Sequence, residues 1–290
     1  IRGYATMSSI LITGTTSGIG LETAVLFARS GWDVYAGVRS RSRADDLLAA
    51  LDGEGLEATL VEGDISDEHA VRRVVDDVVG KAGRLDVLVN NAGRVVIAPV
   101  EETDDDEARA VMDANFFGAL HMMRACLPIM RAQGAGTIVN ISSIGARVTP
   151  SYYGVYAASK RAIEAISEAV HIESQEYGIR VVLIEPGNFR TNIMRSALVA
   201  RRFGEDSPYL DGLLKMKADA KKIYAQIDAD SAPGPELVAR AILAAVEDAD
   251  ARFSYAVGED AEFFLECLAD APPDELPMLA ISERLAPDAM

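Results

Sequence analysis

The sequence predicts an α/β fold, a doubly wound parallel sheet with helices on both faces. Three observations predict it. Short apolar runs alternate along the chain with segments that carry apolar residues at helical spacing. A glycine-rich turn follows the first apolar run and opens a helix. Residues suited to ligand contact fall where the apolar runs end, and in such folds that is where the ligand crevice lies.

The elements follow in order. Residues 10–13 form the first strand. Residues 18–30 place Leu21, Ala24, Val25 and Ala28 on one helical face, and Gly31, tolerant of positive φ, stops that helix. A second strand is expected over 34–38, a short helix over 44–51 and a third strand over 58–61. The helix over 67–82 has Ser66 or Asp67 available as its cap. Residues 86–90 form a fourth strand. The acidic stretch 101–107 opens a long helix that runs to about residue 133, because acids in a first helical turn complement the macrodipole. A fifth strand covers 137–141. A second long helix covers 153–177 and ends at Gly178. The sixth strand, 180–185, is broken by Pro186-Gly187.

Six strands separated by helices imply right-handed crossovers and a sheet covered on both faces. Gly14, Arg39, Asp64, Asn90, Ser143 and Pro186 each follow or end one of the six strands. Beyond them, 192–230 is charged and helix-prone, and Ser231-Ala232-Pro233-Gly234-Pro235 is a break. A helix is expected over 235–247, with Pro near its start, and a last strand over 253–257. The acidic stretch 258–290 contains Pro272, Pro273, Pro277 and Pro287 and reads as a short helix plus an extended tail. The expectation is one domain over 7–290, with 192–230 as a lid and 258–290 as a C-terminal extension. Ile1 to Thr6 precede Met7 and read as an artificial start.

Composition narrows the function classes. The 290 residues carry a formal charge of −17, which argues against nucleic acid or an anionic membrane as a partner. Cys126 and Cys267 make no disulfide framework, so a reducing cytoplasm is the natural setting. His69, His121 and His171 are far apart, and no spacing suggests a metal site. No apolar run reaches the roughly 18 residues of a membrane span. No secretory signal is expected, because the first strand begins almost at once.

Two motifs carry chemistry. In Thr13-Gly14-Thr15-Thr16-Ser17-Gly18-Ile19-Gly20, glycines in a strand-to-helix turn let backbone approach phosphate and aim helix N–H groups at it. In Tyr156-Ala157-Ala158-Ser159-Lys160, the lysine sits one helical turn after the tyrosine on the same face. A phenol titrates near ~10, and a close ammonium favours the phenolate. Tyr156 is thereby a candidate general acid for ketone reduction and general base for alcohol oxidation.

These motifs, in their order, resemble the classical short-chain dehydrogenase/reductase family. The family's TGxxxGxG turn matches Thr13 to Gly20, its NNAG strand end matches Asn90-Asn91-Ala92-Gly93, and its mid-helix asparagine matches Asn115. Its serine and YxxxK motif match Ser143, Tyr156 and Lys160, and its PGxxxT segment matches Pro186 to Thr191. The likeness spans about 7–191. It implies a Rossmann-type sheet and hydride transfer to or from a nicotinamide cofactor. Ser143 would orient the substrate oxygen, Lys160 would also bind the nicotinamide ribose, and Asn115 would hold a water near Lys160. Asn90 could position adenosine and brace the central strands. Asp64 and Ile65 would meet the adenine. Gly14, Thr16, Ser17, Gly18, Ile19, Gly20, Asn91, Ala92, Gly93, Pro186 and Gly187 complete the cofactor set, and Thr191 would contact the carboxamide.

An acid at the end of the second strand pairs with the 2′-hydroxyl of NAD, and an arginine there accommodates a 2′-phosphate. Val38 stands where the NAD-selecting acid would be, and Arg39 and Ser40 follow it. The expected cofactor is therefore NADP(H) rather than NAD. Residues 94–99 and 144–153 mix apolar, aromatic and small side chains, which suits an apolar alcohol or ketone, and the chain resembles the branch of the family acting on steroids, retinoids and related carbonyls. An acyl-carrier-protein ketoreductase and a non-catalytic NADP-binding regulatory protein are the alternatives. Relatives of this type pair their two long helices, so the resemblance also implies a homodimer or homotetramer.

Overall fold

The computed structural model describes residues 7–193, 197–226, 232–272, 275–278 and 281. The expected artificial start, Ile1 to Thr6, lies outside the described residues, as do parts of the expected lid and most of the expected tail.

Seven parallel strands form the central sheet. They are β1 (Ser9–Thr13), β2 (Asp33–Val38), β3 (Thr59–Glu62), β4 (Val87–Asn90), β6 (Gly136–Ile141), β7 (Ile179–Pro186) and β9 (Ser254–Val257). Their order across the sheet is β3-β2-β1-β4-β6-β7-β9. The order reverses between β1 and β4, so loops from both halves of the sheet diverge there and leave a crevice at the strand ends.

Alternation along each strand builds two cores. On β1, Ile10 and Ile12 face one side and Leu11 the other, all fully buried. The first side packs against α1 (Gly18–Arg29), α2 (Asp45–Asp52) and α9 (Glu236–Glu247), through Phe27, Leu47 and Ile242 among others. The second packs against α3 (Glu68–Ala82), α5 (Gly118–Gln133) and α7 (Gly154–Ser174), through Val75, Met122 and Ile163. With both faces covered, the central strands contain few polar positions. One exception is the buried pair Asn90 and Asn140, whose side chains bond at 2.8 Å across β4 and β6. Asn90 thus braces the sheet.

Local signals end the helices where expected. Asp67 caps α3 by accepting from His69 N–H at 2.8 Å. After α7, one tight turn at Gln175–Tyr177 leads to Gly178 at φ +70°.

Three differences from the sequence expectation bear on the site. The helix expected over 101–133 is not continuous. It divides into α4 (Asp105–Met112), a π turn at Asp113–Phe117 and α5. The π turn holds an extra residue and carries Asn115. A second difference is a small sheet in which β5 (Val96–Ile97) pairs with β8 (Leu198–Val199), joining the 94–99 region to the segment after Thr191. The third is a one-turn helix, α6 (Ile144–Arg147), directly after Ser143. Two further helices, α8 (Leu210–Gln226) and α10 (Glu259–Asp270), close the C-terminal side of the crevice.

Candidate active site

The first turn is held open by glycines with no room for a side chain. A Cβ on Gly20 would lie 2.3 Å from the Gly14 carbonyl oxygen, and Gly14 itself has φ +72°. Neither position tolerates a larger residue without backbone movement. Thr13 ties this turn to the end of β4: its Oγ1 accepts from Asn91 N–H and Ala92 N–H, each at 3.0 Å. Asn91 Nδ2 in turn donates to the Thr13 and Gly14 carbonyls at 2.9 and 3.1 Å. Ser17 stands at the N-cap of α1, whose first turn has no acidic side chain. The N-terminal end of α1 is therefore left electropositive and faces the crevice.

Arg39 lies at the end of β2 and lines the same crevice, joined there by Arg43. Thr15 is buried and donates to the Gly37 carbonyl at 3.2 Å, so Thr16 is the threonine left facing the crevice. Asp64 accepts from Ser66 N–H and Oγ at 3.0 and 2.7 Å. Partial burial works against its ionised form, but the Ser66 bonds and the charges of Arg39 and Arg94 carry its pKa below the ordinary carboxylate range.

The opposite wall carries the proton-handling residues. Ser143 starts α6, accepts from Gly145 N–H at 3.1 Å, and hydrogen-bonds the Tyr156 phenol. Lys160 is buried and donates to the Ile141 carbonyl at 2.8 Å, with Nζ 5.8 Å from the Tyr156 ring centre. Burial pushes the Lys160 ammonium down to about 8, opposed by the Glu164 carboxylate one turn further on. Burial also pushes the Tyr156 phenol above its ordinary value, against the Ser143 bond. The ammonium is aimed at the Ile141 carbonyl.

The predicted set is brought together with three exceptions. Gly14, Thr16, Ser17, Gly18, Ile19, Arg39, Asp64, Ile65, Asn91, Ala92, Gly93, Ser143, Tyr156, Lys160, Pro186, Gly187 and Thr191 all line one crevice of about 1300 Å³. Gly20 lies behind it, packed under Gly14. Asn115 also lies behind it: its Oδ1 accepts from Arg94 N–H at 2.7 Å, and its Nδ2 donates to Arg94 O and Ser159 Oγ, each at 2.9 Å. That amide braces the turn beside Lys160. Asn90 likewise does not line the crevice, so only the bracing half of its expected role is met.

Much of the remaining crevice lining is apolar, with Lys215 and Asp219 of α8 among it. Ile144, Val148, Phe189, Ile193, Met216 and Phe264 make up the apolar part, with Tyr152 and Tyr153. α8 lies close: a Cβ on Gly212 would fall 2.1 Å from the Tyr152 hydroxyl. The approach to α8 is held by Arg201, which bonds Asp106 at 2.6 Å, and by Arg202, which bonds Asp104 at 2.6 Å. Among the described residues, no group of three or more His, Cys, Asp or Glu is placed to hold a metal. No helix among them is long and apolar enough to cross a membrane.

Residues 8–201 match the sequence profile of the short chain dehydrogenase family. The chain belongs to this family. It is similar to a 3-ketodihydrosphingosine reductase of Bacteroides thetaiotaomicron, 36% identical over 206 residues that cover 71% of this chain and 73% of the relative. It is also similar to dehydrogenase/reductase SDR family member 7B of Xenopus laevis, 31% identical over 84% of this chain and 72% of the relative. Among solved structures, a short-chain dehydrogenase from Streptomyces avermitilis superposes with a TM-score of 0.78 at 33% identity, covering 97% of this chain and 98% of that one. ElxO, solved with NADP bound, shares the fold with a TM-score of 0.74 at 22% identity, over 89% of this chain and 99% of that one.

Sequence reading missed some residues that shape this short-chain dehydrogenase site. Arg147, on α6, donates to Glu185 at 2.8 Å and lies 3.8 Å from Glu164. Glu164 accepts from Ser142 Oγ at 2.6 Å, directly behind Ser143, and burial holds its carboxyl above the ordinary range against that bond. Arg43 was missed for a simpler reason: it is the third of three alternating arginines, and the sequence does not say which of them turns toward the crevice. Glu164 does have a local signal in retrospect, lying one helical turn after Lys160 on the same face.

Proposed function

We propose that this short-chain dehydrogenase interconverts an apolar ketone and its secondary alcohol with NADP(H), with Tyr156 as general acid and base. The single observation that carries the reading is the crevice itself. Ser143, Tyr156 and Lys160 share its one wall, while the first turn and two arginines share its other end.

The residues fit such a dinucleotide. Gly14 and Gly20 give backbone the close approach a pyrophosphate needs, and the α1 N-terminus supplies positive potential. Arg39 and Arg43 would bind the 2′-phosphate, with Asp64 and Ile65 beside the adenine. Pro186, Gly187 and Thr191 would meet the nicotinamide end. When bound, the cofactor supplies a hydride to the carbonyl carbon or takes one from the alcohol.

The chain's own residues handle the proton and the pose. Ser143 donates to the substrate oxygen and fixes it beside the phenol. A raised phenol pKa keeps Tyr156 protonated at neutral pH, ready to give its proton to the developing alkoxide. Lys160 supplies positive charge beside the Tyr156 ring and would bond the nicotinamide ribose. Asn115 holds the Gly93-Arg94 turn against Lys160 through its three bonds. The apolar part of the lining favours a hydrophobic substrate, and the Bacteroides relative's name specifies reduction of a keto group. Segment 192–230 acts as a lid on a single domain, and the exposed Phe117 and Ile172 support pairing of the long helices in a homo-oligomer.

Loss of NADPH absorbance with a panel of apolar ketones tests the reading. Turnover with NADPH is expected to exceed turnover with NADH. No turnover with any carbonyl or alcohol, in either direction, would overturn it and favour a cofactor-binding regulatory protein.

A further inference from the structure

Four consecutive residues after β7 are gripped by residues from the last third of the chain, three through backbone N–H and one through its ring. Gly187 N–H donates to Val257 O at 2.9 Å, Asn188 N–H to Asp260 Oδ2 at 2.6 Å, and Arg190 N–H to Pro233 O at 2.9 Å. Between them the Phe189 ring packs on Gly258, where a Cβ would lie 3.3 Å from Phe189 Cζ. The gripping residues fall outside 8–201, the part that matches the family profile. Pro186, Gly187 and Thr191 of the gripped loop line the crevice.

Asp260 is the charged member of this grip. It is 3% exposed, and a buried carboxylate is costly unless hydrogen-bonded. Its oxygens press on the loop: a Cβ on Gly187 would fall 1.9 Å from Oδ1 and 2.5 Å from Oδ2. Only glycine leaves room for the carboxylate to reach Asn188 N–H. One turn further along α10, Phe264 lines the crevice wall beside Ile144. One helix face thus touches the loop with a charge and the substrate end with a ring.

We propose that Asp260 is a positioning residue that sets the loop from Pro186 to Thr191 against the nicotinamide half of the cofactor. The proposal rests on the reading of the crevice as an NADP(H) site. Binding energy spent at the nicotinamide end requires a fixed loop, and a charge-assisted bond to backbone N–H is a strong way to fix it. The adenosine half meets the first turn, Arg39 and Asp64, none of which touches Asp260 in the contacts described above.

The test compares NADPH with adenosine 2′,5′-bisphosphate, which keeps the adenosine half and lacks the nicotinamide. In D260A, the dissociation constant for NADPH is expected to rise about tenfold, as loss of one charge-assisted bond implies. The fragment's constant should stay within about twofold, since its contacts are untouched. D260N keeps an oxygen acceptor for Asn188 N–H and should recover most of the NADPH affinity. If D260A does not fold, D260S, whose shorter polar side chain no longer places a carboxylate against Asn188 N–H, reads the same contact and should give the same NADPH-selective weakening. Equal weakening of NADPH and fragment in the folded variants, or no weakening of either, would overturn the proposal. Wild-type protein that binds no NADPH would instead overturn the cofactor reading, which separates the two failures.

Discussion

The Lys160 ammonium lies 5.8 Å from the centre of the Tyr156 ring and gives its 2.8 Å hydrogen bond to the Ile141 carbonyl. The ammonium is held by backbone beside the ring. Burial therefore sets the resting state of both groups, holding Tyr156 protonated and Lys160 easier to deprotonate.

Replacing Tyr156 by Phe removes the proton donor and leaves the ring. Turnover is expected to fall by about a hundredfold to ten-thousandfold, the usual range for losing a general acid. NADPH affinity should stay within about twofold, since the phenol oxygen faces substrate. Steady-state kinetics with a fluorescence titration of NADPH checks both, and retained turnover would remove Tyr156 from the proton-transfer role.

Lys160 gives a pH signature. Its ordinary pKa of 10.5 falls to about 8 in the folded protein. Below about 8 both folded and unfolded chains hold the proton, and the full cost of burying the ammonium is present. Between about 8 and 10.5 the unfolded chain holds a proton that the folded chain has lost, so this group's contribution to stability rises with pH. The shift amounts to about 3 kcal/mol at most across that window. The unfolding free energy of wild type minus that of K160M should therefore grow from pH 8 upward. A flat difference, measured by denaturant unfolding, would place the lysine in a wetter setting. Turnover of the wild type should decline over the same range as the ammonium is lost.

Much of this site was legible because its signals are local. The Thr13 to Gly20 turn, the strand ends at Asn90 and Ser143, and the one-turn spacing of Tyr156 and Lys160 are each written within a few residues. Periodicity then supplied the sheet. Contacts between distant segments left no such trace. Arg147 and Glu185 are 38 residues apart, and Asn188 and Asp260 are 72 apart. Both Asp260 and Glu185 read locally as ordinary acids, one at a helix start and one in a strand. The π turn was hidden for another reason: the apolar pattern of α4 and α5 continues across it, while Asn115 is turned by its bonds to Arg94.

Arg147 is predicted to matter more than its half-exposed position suggests. Its partner Glu185 is 1% exposed, so R147M leaves a carboxylate buried without its cation. The expected loss of stability is about 2–4 kcal/mol, near the cost of breaking a buried pair. R147M/E185Q removes the stranded charge and should recover much of that loss. Thermal or urea unfolding of the two variants checks the order, and equal stability of R147M and wild type would mean that water reaches Glu185. Because Arg147 sits on the helix that Ser143 starts, R147M should also lower turnover.

Cofactor choice is the remaining question that a substitution can answer. Arg39 and Arg43 line the crevice where a 2′-phosphate would lie, and β2 ends in Val38 rather than in an acid. A guanidinium on a phosphate makes charge-assisted bonds of about 1.5–3 kcal/mol, and two arginines share the load. Removing Arg39 alone should raise the KM for NADPH about tenfold, and the R39A/R43A pair should raise it further. NADH lacks the phosphate and should be affected little or even favoured, since two cations next to an unphosphorylated ribose contribute nothing to its binding. The ratio of kcat/KM for NADPH over NADH is the decisive measurement. It should fall stepwise from wild type to R39A to the double variant; a ratio unchanged in both would mean that neither guanidinium reads the phosphate.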